Sequence, residues 1–93
     1  MTYCVLMPDD FQTAVDRLNF LQQEDAENTY ISPFLCFAHL AESRLSREQI
    51  VDIKTDLLIL CDGLLFFDNI SNEERELLMM AEKVGMPIEQ VKI

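Results

Sequence analysis

The stretch that does most to limit the possible folds is residues 46–67, which carries apolar residues at helical spacing along its whole length. Ser46 and Gln49 have the spacing of a helix capping box at its start. Two rows of apolar residues extend along this stretch, and both are present from Leu57 onward. The later half of the stretch is therefore apolar on most sides and needs neighbours to cover it. The pattern predicts one long central helix over residues 46–67. The first row recurs at alternating steps of three and four, which is the spacing of one helix side: Ile50, Ile53, Leu57, Leu60, Leu64 and Phe67.

Three further segments carry helix start signals. Pro8 suits a first helical position, and residues with helical spacing follow it. Ser32 and Pro33 are a typical cap and first-turn pair. Ser71 and Glu74 have the spacing of a second capping box. The helices predicted from these signals cover about residues 8–23, 33–44 and 72–84.

The two ends of the chain are read from local signals. Residues 2–7 are apolar and precede Pro8, which predicts a short strand or a packed extended arm. Residues 87–93 are predicted to form one more helical turn, with a strand pairing against residues 2–7 as the alternative. Almost half of the 93 residues are hydrophobic and two are glycine, a balance that favours helices. The sequence therefore predicts a single all-α domain over residues 1–93, a compact bundle of four main helices around the central helix.

Composition and charge bear on partners and location. A formal net charge of −10 repels nucleic acid and anionic lipid at long range, so we expect no direct nucleic-acid binding and no membrane binding. The apolar stretches are too short or too charged to span a bilayer, and the first ten residues lack signal-peptide features. We expect a cytoplasmic protein. An odd number of cysteines, three, argues against a disulfide framework.

Cysteine and histidine offer two chemical alternatives. Cys36 and His39 stand three residues apart and, with Cys61 and Cys4, would supply four ligands of the kind that zinc takes. Each is a lone ligand in an apolar run, unlike the paired motifs of structural zinc sites, so we expect no metal and no cofactor. A Cys-His nucleophile would need a glycine-rich elbow or a basic group close in sequence. The sequence shows neither, so we expect no enzyme activity.

An acidic row lies on the polar side of the predicted central helix. Glu48, Asp52 and Asp56 follow one another at four-residue steps. Such a step rises about 6 Å, close to the phosphate interval of roughly 7 Å along one nucleic-acid strand. The row predicts either a solvated helix face with Lys54 beside it or a mimic of DNA that blocks a nucleic-acid-binding protein.

Residues 57–86 carry a family resemblance. They are similar to the helix, Asp-Gly, loop, helix unit of TerB-like tellurite-resistance domains, although this chain inserts LLFFDN after the Asp-Gly pair. The resemblance implies a helical stress-response domain. The same segment faintly resembles a broken EF-hand, but too few ligand positions are filled for calcium. The matching residues are Asp62, Gly63, Ile70, Ser71, Glu73, Glu74, Arg75, Leu77, Leu78 and the helix end from Ala81 to Gly85.

More large apolar residues are present than a bundle of this size easily buries, although all of them could belong to its core. Methionine repacks readily and aromatic residues bury a large area, which suits a face that binds another protein or a second copy. We therefore expect a small regulatory protein of inhibitor, antitoxin, immunity or adaptor type, phage or bacterial, that docks on a partner with a basic or apolar surface. Its predicted partner-binding residues are Phe34, Phe37, Leu64, Leu65, Phe66, Phe67, Met79 and Met80.

Overall fold

The computed structural model of this chain describes residues 1–7, 10–38, 40 and 43–91, and it shows an α/β fold. Strands and helices alternate along the described chain, except that two helices, α2 and α3, follow one another between β2 and β3. The strands are β1 (Thr2–Leu6), β2 (Thr29–Ile31), β3 (Gly63–Phe66) and β4 (Ile88–Gln90). The helices are α1 (Phe11–Glu24), α2 (Pro33–Cys36), α3 (Arg47–Ile59) and α4 (Asn72–Lys83).

The strands form one parallel sheet in the order β2-β1-β3-β4. Cys4 of β1 lies opposite Ile31 of β2 and Leu64 of β3, and Leu64 lies opposite Ile88 of β4. The chain therefore places β2 on one side of β1 and then crosses over to place β3 and β4 on the other side. Open parallel sheets with such a reversal bind their ligands beyond the carboxyl ends of the strands.

The predicted all-α bundle is wrong. Residues 46–67 form no single helix, because α3 ends at Ile59 and β3 begins at Gly63. An apolar run with no polar side is as typical of a buried parallel strand as of a buried helix, which explains the error. Of the two alternatives for residues 2–7, the short strand is confirmed and the arm is wrong, because Thr2–Leu6 form β1, an inner strand of the sheet. The C-terminal segment contains the strand β4, so the predicted helical turn is wrong. The alternative of a strand is confirmed, but its predicted pairing with residues 2–7 is wrong, because β4 pairs with β3.

Two of the other three helix predictions are confirmed, and the third is correct only at its start. The first and fourth are confirmed over most of their lengths as α1 and α4, although Pro8 and Asp9 lie outside the described residues. The second is too long, because α2 ends at Cys36 and Phe37 is its cap. The capping box of Ser46 and Gln49 is confirmed at the start of α3. No helix among the described residues is long and apolar enough to cross a bilayer.

Two apolar clusters hold the layers together. Leu58 and Leu77, from α3 and α4, pack with Cys4 and Leu64 of the sheet in one cluster. Ala14 of α1 belongs to a second cluster, whose other buried members are Val5, Met7 and Phe67. Because successive residues of β1 belong to different clusters, the clusters lie on opposite faces of the sheet.

Candidate functional site

A cavity of about 360 Å³ lies among α2, α3 and α4, and we call it the cleft. The element α2 directly follows the carboxyl end of β2, and the first turn of α4 follows β3. The cleft thus lies on the carboxyl-terminal side of the sheet, where folds of this topology bind ligands. Its walls are Phe34, Phe37, Ala38, Leu40, Ile50, Lys54 and Glu73.

Capping residues position the elements around the cleft. The buried Ser32 hydroxyl accepts a hydrogen bond from the Leu35 N–H group (3.2 Å), which directs the chain from β2 into α2. The Ser71 hydroxyl accepts a hydrogen bond from the Glu74 N–H group (3.2 Å). This cap places Glu73 in the first turn of α4, where the helix dipole stabilises a carboxylate.

Lys54 brings a positive charge into the cleft. The residue is 6% exposed, although lysine is seldom buried without a partner. Its Nζ atom lies 3.6 Å from Oε2 of Glu73, whose side chain is 65% exposed. This distance is an ion-pair contact and is longer than a hydrogen bond, which for N–H···O reaches about 3.2 Å. The contact with Glu73 therefore supplies opposite charge to the ammonium group without a hydrogen bond.

Glu74, the residue after Glu73, is also buried and is 1% exposed. Only one half of the predicted capping box with Ser71 is present, because the Glu74 side chain lies inside the protein. Burial first, then the Cys61 thiol and the Glu74 carboxyl group, raise the pKa of the Cys4 thiol far above its ordinary value. The carboxyl group of Glu74 therefore acts on the core, whereas the neighbouring Glu73 lines the cleft.

The cysteines are not arranged as a metal site within the described part of the chain. Cys4 and Cys61 are buried in the same cluster, whereas Cys36 is exposed. Burial raises the pKa of the Cys61 thiol too, and neutral buried thiols are poor nucleophiles and poor ligands. Described Cys, Asp, Glu and His residues form no group of three or more that could hold a metal ion. His39, part of the zinc alternative, lies outside the described residues.

The predicted partner-binding residues are divided by the fold. Phe34 and Phe37 come together as walls of the cleft. Leu64 and Phe67 are core residues with 1% and 2% exposure. The others differ in exposure: Leu65, Phe66 and Met80 are half-buried against the two clusters, and Met79 is exposed.

The acidic row lies on the exposed side of α3, since Glu48, Asp52 and Asp56 are all exposed. Lys54 was predicted to lie beside this row but instead lines the cleft. The sequence held a signal for this position, because Lys54 stands four residues after Ile50 and four before Leu58 on the buried side.

Comparisons with known proteins found no matching family model, no matching curated protein and no matching solved structure. The resemblance to TerB-like domains stays a prediction, because none of these comparisons tests it. In the structure, residues 57–86 contain the end of α3, the strand β3 and the helix α4.

Proposed function

We propose that this chain is a small acidic cytoplasmic regulatory protein that docks on a partner protein and receives an apolar side chain of that partner in the cleft. The observation that supports this proposal is the cleft itself, where Phe34, Phe37 and Ile50 line one cavity. Its volume of about 360 Å³ is within the range of ligand pockets, roughly 300–1,000 Å³.

Aromatic walls suit an anchoring contact. A phenylalanine ring buries a large area while losing few side-chain rotations, and interfaces draw most of their affinity from a few such pockets. Phe34 and Phe37 are half-buried, so part of each ring is already held by the protein before a partner arrives. A partner side chain entering between them would bury further apolar area.

The surface charge supports a basic partner. Seventeen acidic residues stand against seven lysines and arginines. A charge imbalance of this size accelerates encounter with a positively charged protein and slows encounter with nucleic acid. We propose that binding of this protein occludes the partner's surface or recruits the partner, and the proposal assigns no catalytic step.

Paired alanine variants test the proposal in affinity capture from the native cell. Phe37→Ala should lose a protein that the wild type captures. Phe20→Ala removes a ring that is 49% exposed on α1 and should keep that protein. Thermal unfolding of both variants checks that they are folded. Equal capture by both variants would contradict a role for the cleft.

A nucleic-acid mimic is a second candidate, favoured by one observation. Because Lys54 is turned into the cleft, it does not interrupt the exposed row of Glu48, Asp52 and Asp56. Neutralising the three carboxylates together, as Glu48→Gln, Asp52→Asn and Asp56→Asn, should then abolish binding of a basic partner. Binding by the wild type should weaken steeply with salt. If the triple variant keeps the partner and Phe37→Ala loses it, the mimic is excluded.

A further inference from the structure

Building on the proposed docking function, we infer that the anchor taken up by the cleft is the C-terminal residue of the partner chain. Its apolar side chain packs against Phe34 and Phe37, and its terminal carboxylate binds the Lys54 ammonium group in place of the Glu73 carboxylate. The inference rests on the charge that lines this otherwise apolar cavity.

Lys54 is a buried lysine in the wall of the cleft. An ammonium group carries three hydrogen-bond donors, and burying it is costly unless acceptors replace water. Its contact with Glu73 Oε2, at 3.6 Å, supplies charge without hydrogen-bond geometry. An incoming carboxylate that approaches to about 2.8 Å would make charge-assisted hydrogen bonds, which are stronger.

Glu73 already places a carboxylate beside the Lys54 ammonium group. Its side chain is 65% exposed, so the carboxylate stays in contact with water beside the buried Lys54. It can turn into solvent when a ligand carboxylate arrives, because the ligand then balances the charge of Lys54 in its place. The first turn of α4 favours negative charge at this place whichever carboxylate supplies it.

The lining of the cleft limits the shape of the anchor. The ammonium group and the phenylalanine rings line one cavity of about 360 Å³, so the ligand must present an acid and an apolar group close together. A C-terminal residue does so, because its carboxylate and its side chain are attached to the same carbon. An internal Asp or Glu would use its side chain on Lys54 and leave the rings to a neighbouring residue.

A terminal carboxylate also agrees with the charge of the whole molecule. The net charge of −10 attracts a basic partner and repels an acidic one at long range. Every polypeptide chain can end in a carboxylate, so a basic protein can still present one locally. Capture of such a terminus is a known mode of peptide recognition.

Two synthetic peptides test the inference by NMR titration of the full chain. Both are acetylated five-residue peptides of glycine and serine ending in phenylalanine, one with a free carboxylate and one with a terminal amide. We expect both to shift the backbone amide signals of Phe37, Ile50 and Lys54. The free acid should bind about tenfold more tightly, or better, because only it bears the charge.

Three variants complete the test. Glu73→Gln should bind the acid up to about fivefold more tightly, since a competing carboxylate is removed. Glu76→Gln removes another α4 carboxylate, the partner of Arg47, and should leave the affinity unchanged. Lys54→Met should bind acid and amide equally, with a well-dispersed spectrum as the check on folding.

The outcomes separate the inference from the proposed function. Equal binding of acid and amide by the wild type would overturn the carboxylate inference and leave docking in place. Failure of both peptides to shift the cleft signals would overturn the inference and count against the docking role of the cleft. If Lys54→Met does not fold, Glu73→Gln decides alone, and an unchanged or lower affinity for the acid overturns the inference.

Discussion

Asp62 and Thr2 form two hydrogen bonds with each other between the two inner strands, β1 and β3. The Asp62 N–H group donates to the Thr2 carbonyl oxygen at 2.7 Å, and the Thr2 N–H group donates to Oδ2 of Asp62, also at 2.7 Å. Asp62 is the residue before β3, and Thr2 begins β1. The pair therefore extends the hydrogen-bond ladder between these strands into the connection from α3 to β3.

Asp62→Ala should lower the free energy of unfolding by about 1–2 kcal/mol, because it leaves the Thr2 N–H group without its carboxylate acceptor. Urea denaturation measures the change. Asp56→Ala, on the exposed face of α3, is the matched control and should alter stability by less than about 0.5 kcal/mol. Equal effects of the two substitutions would show that the Asp62 carboxylate does not support the strand pairing.

Gly63 gives a second prediction, because a Cβ atom there would lie 2.9 Å from Cε1 of Tyr3. The Tyr3 ring stacks on Tyr30 with ring centroids 5.7 Å apart, so it cannot move without disturbing that pair. Gly63→Ala should cost about 1–3 kcal/mol of stability, the usual price of overpacking. Urea denaturation measures the loss.

The same substitution in a Tyr3→Ala background should cost less, with a coupling of at least about 0.5 kcal/mol in the double-mutant cycle. Gly85→Ala is the control. Gly85 has a φ of +74° with open space around its Cβ position, so its cost is backbone strain and should be additive with Tyr3→Ala. Additivity at Gly63 as well would contradict the steric explanation.

Local signals predicted the helices better than the sheet. The caps at Ser46 and Ser71 identify where α3 and α4 begin, because a cap depends on residues three positions apart. The strands depend on partners far along the chain, such as Cys4 with Leu64. Two of the strands, β2 and β4, have three residues each, too few for a pattern to distinguish them from turns.

The cleft was predictable in part. Its aromatic walls, Phe34 and Phe37, were identified from their place in an apolar segment. The acidic residues around Lys54 predict that it lies on a solvated face, and this prediction is wrong, because Lys54 is buried. Its spacing from Ile50 and Leu58 indicated the buried side, and the fold shows that this spacing was the stronger signal.

Gln22 gives a third prediction, since its amide group bridges the connection between α1 and β2. Its Nε2 atom donates to the carbonyl oxygens of Asp25 (3.2 Å) and Asn28 (2.7 Å), and its Oε1 atom accepts from the Tyr30 N–H group (3.2 Å). Gln22→Ala should lower stability by about 1–3 kcal/mol, because backbone groups of a half-buried turn lose their partners. The neighbouring Gln23 is exposed, and Gln23→Ala should have almost no effect. Urea denaturation compares the two, and similar losses would exclude the bridging role.

The last prediction concerns Cys4 and alkaline pH. Burial raises the pKa of this thiol in the folded protein, so the native state keeps its proton at pH values where the unfolded chain loses it. Below the pKa of the unfolded chain, about 8.5, the thiol is protonated in both states and does not favour unfolding. Above that pH the unfolded chain releases the proton and the folded protein does not, so the free energy of unfolding falls. Between pH 8.5 and pH 10 the free energy of unfolding should therefore fall, by up to about 1.4 kcal/mol per pH unit from this thiol.

Urea denaturation across this pH range measures the slope in the wild type and in two variants. Cys4→Ala removes the buried thiol, so its stability should depend less steeply on pH, whatever the cost of the missing sulfur atom at neutral pH. Cys36→Ala removes an exposed thiol and should keep the wild-type slope. Because the comparison uses slopes, the cavity left by Cys4→Ala does not obscure the result. The same slope in Cys4→Ala and in the wild type would show that this thiol does not link proton release to unfolding.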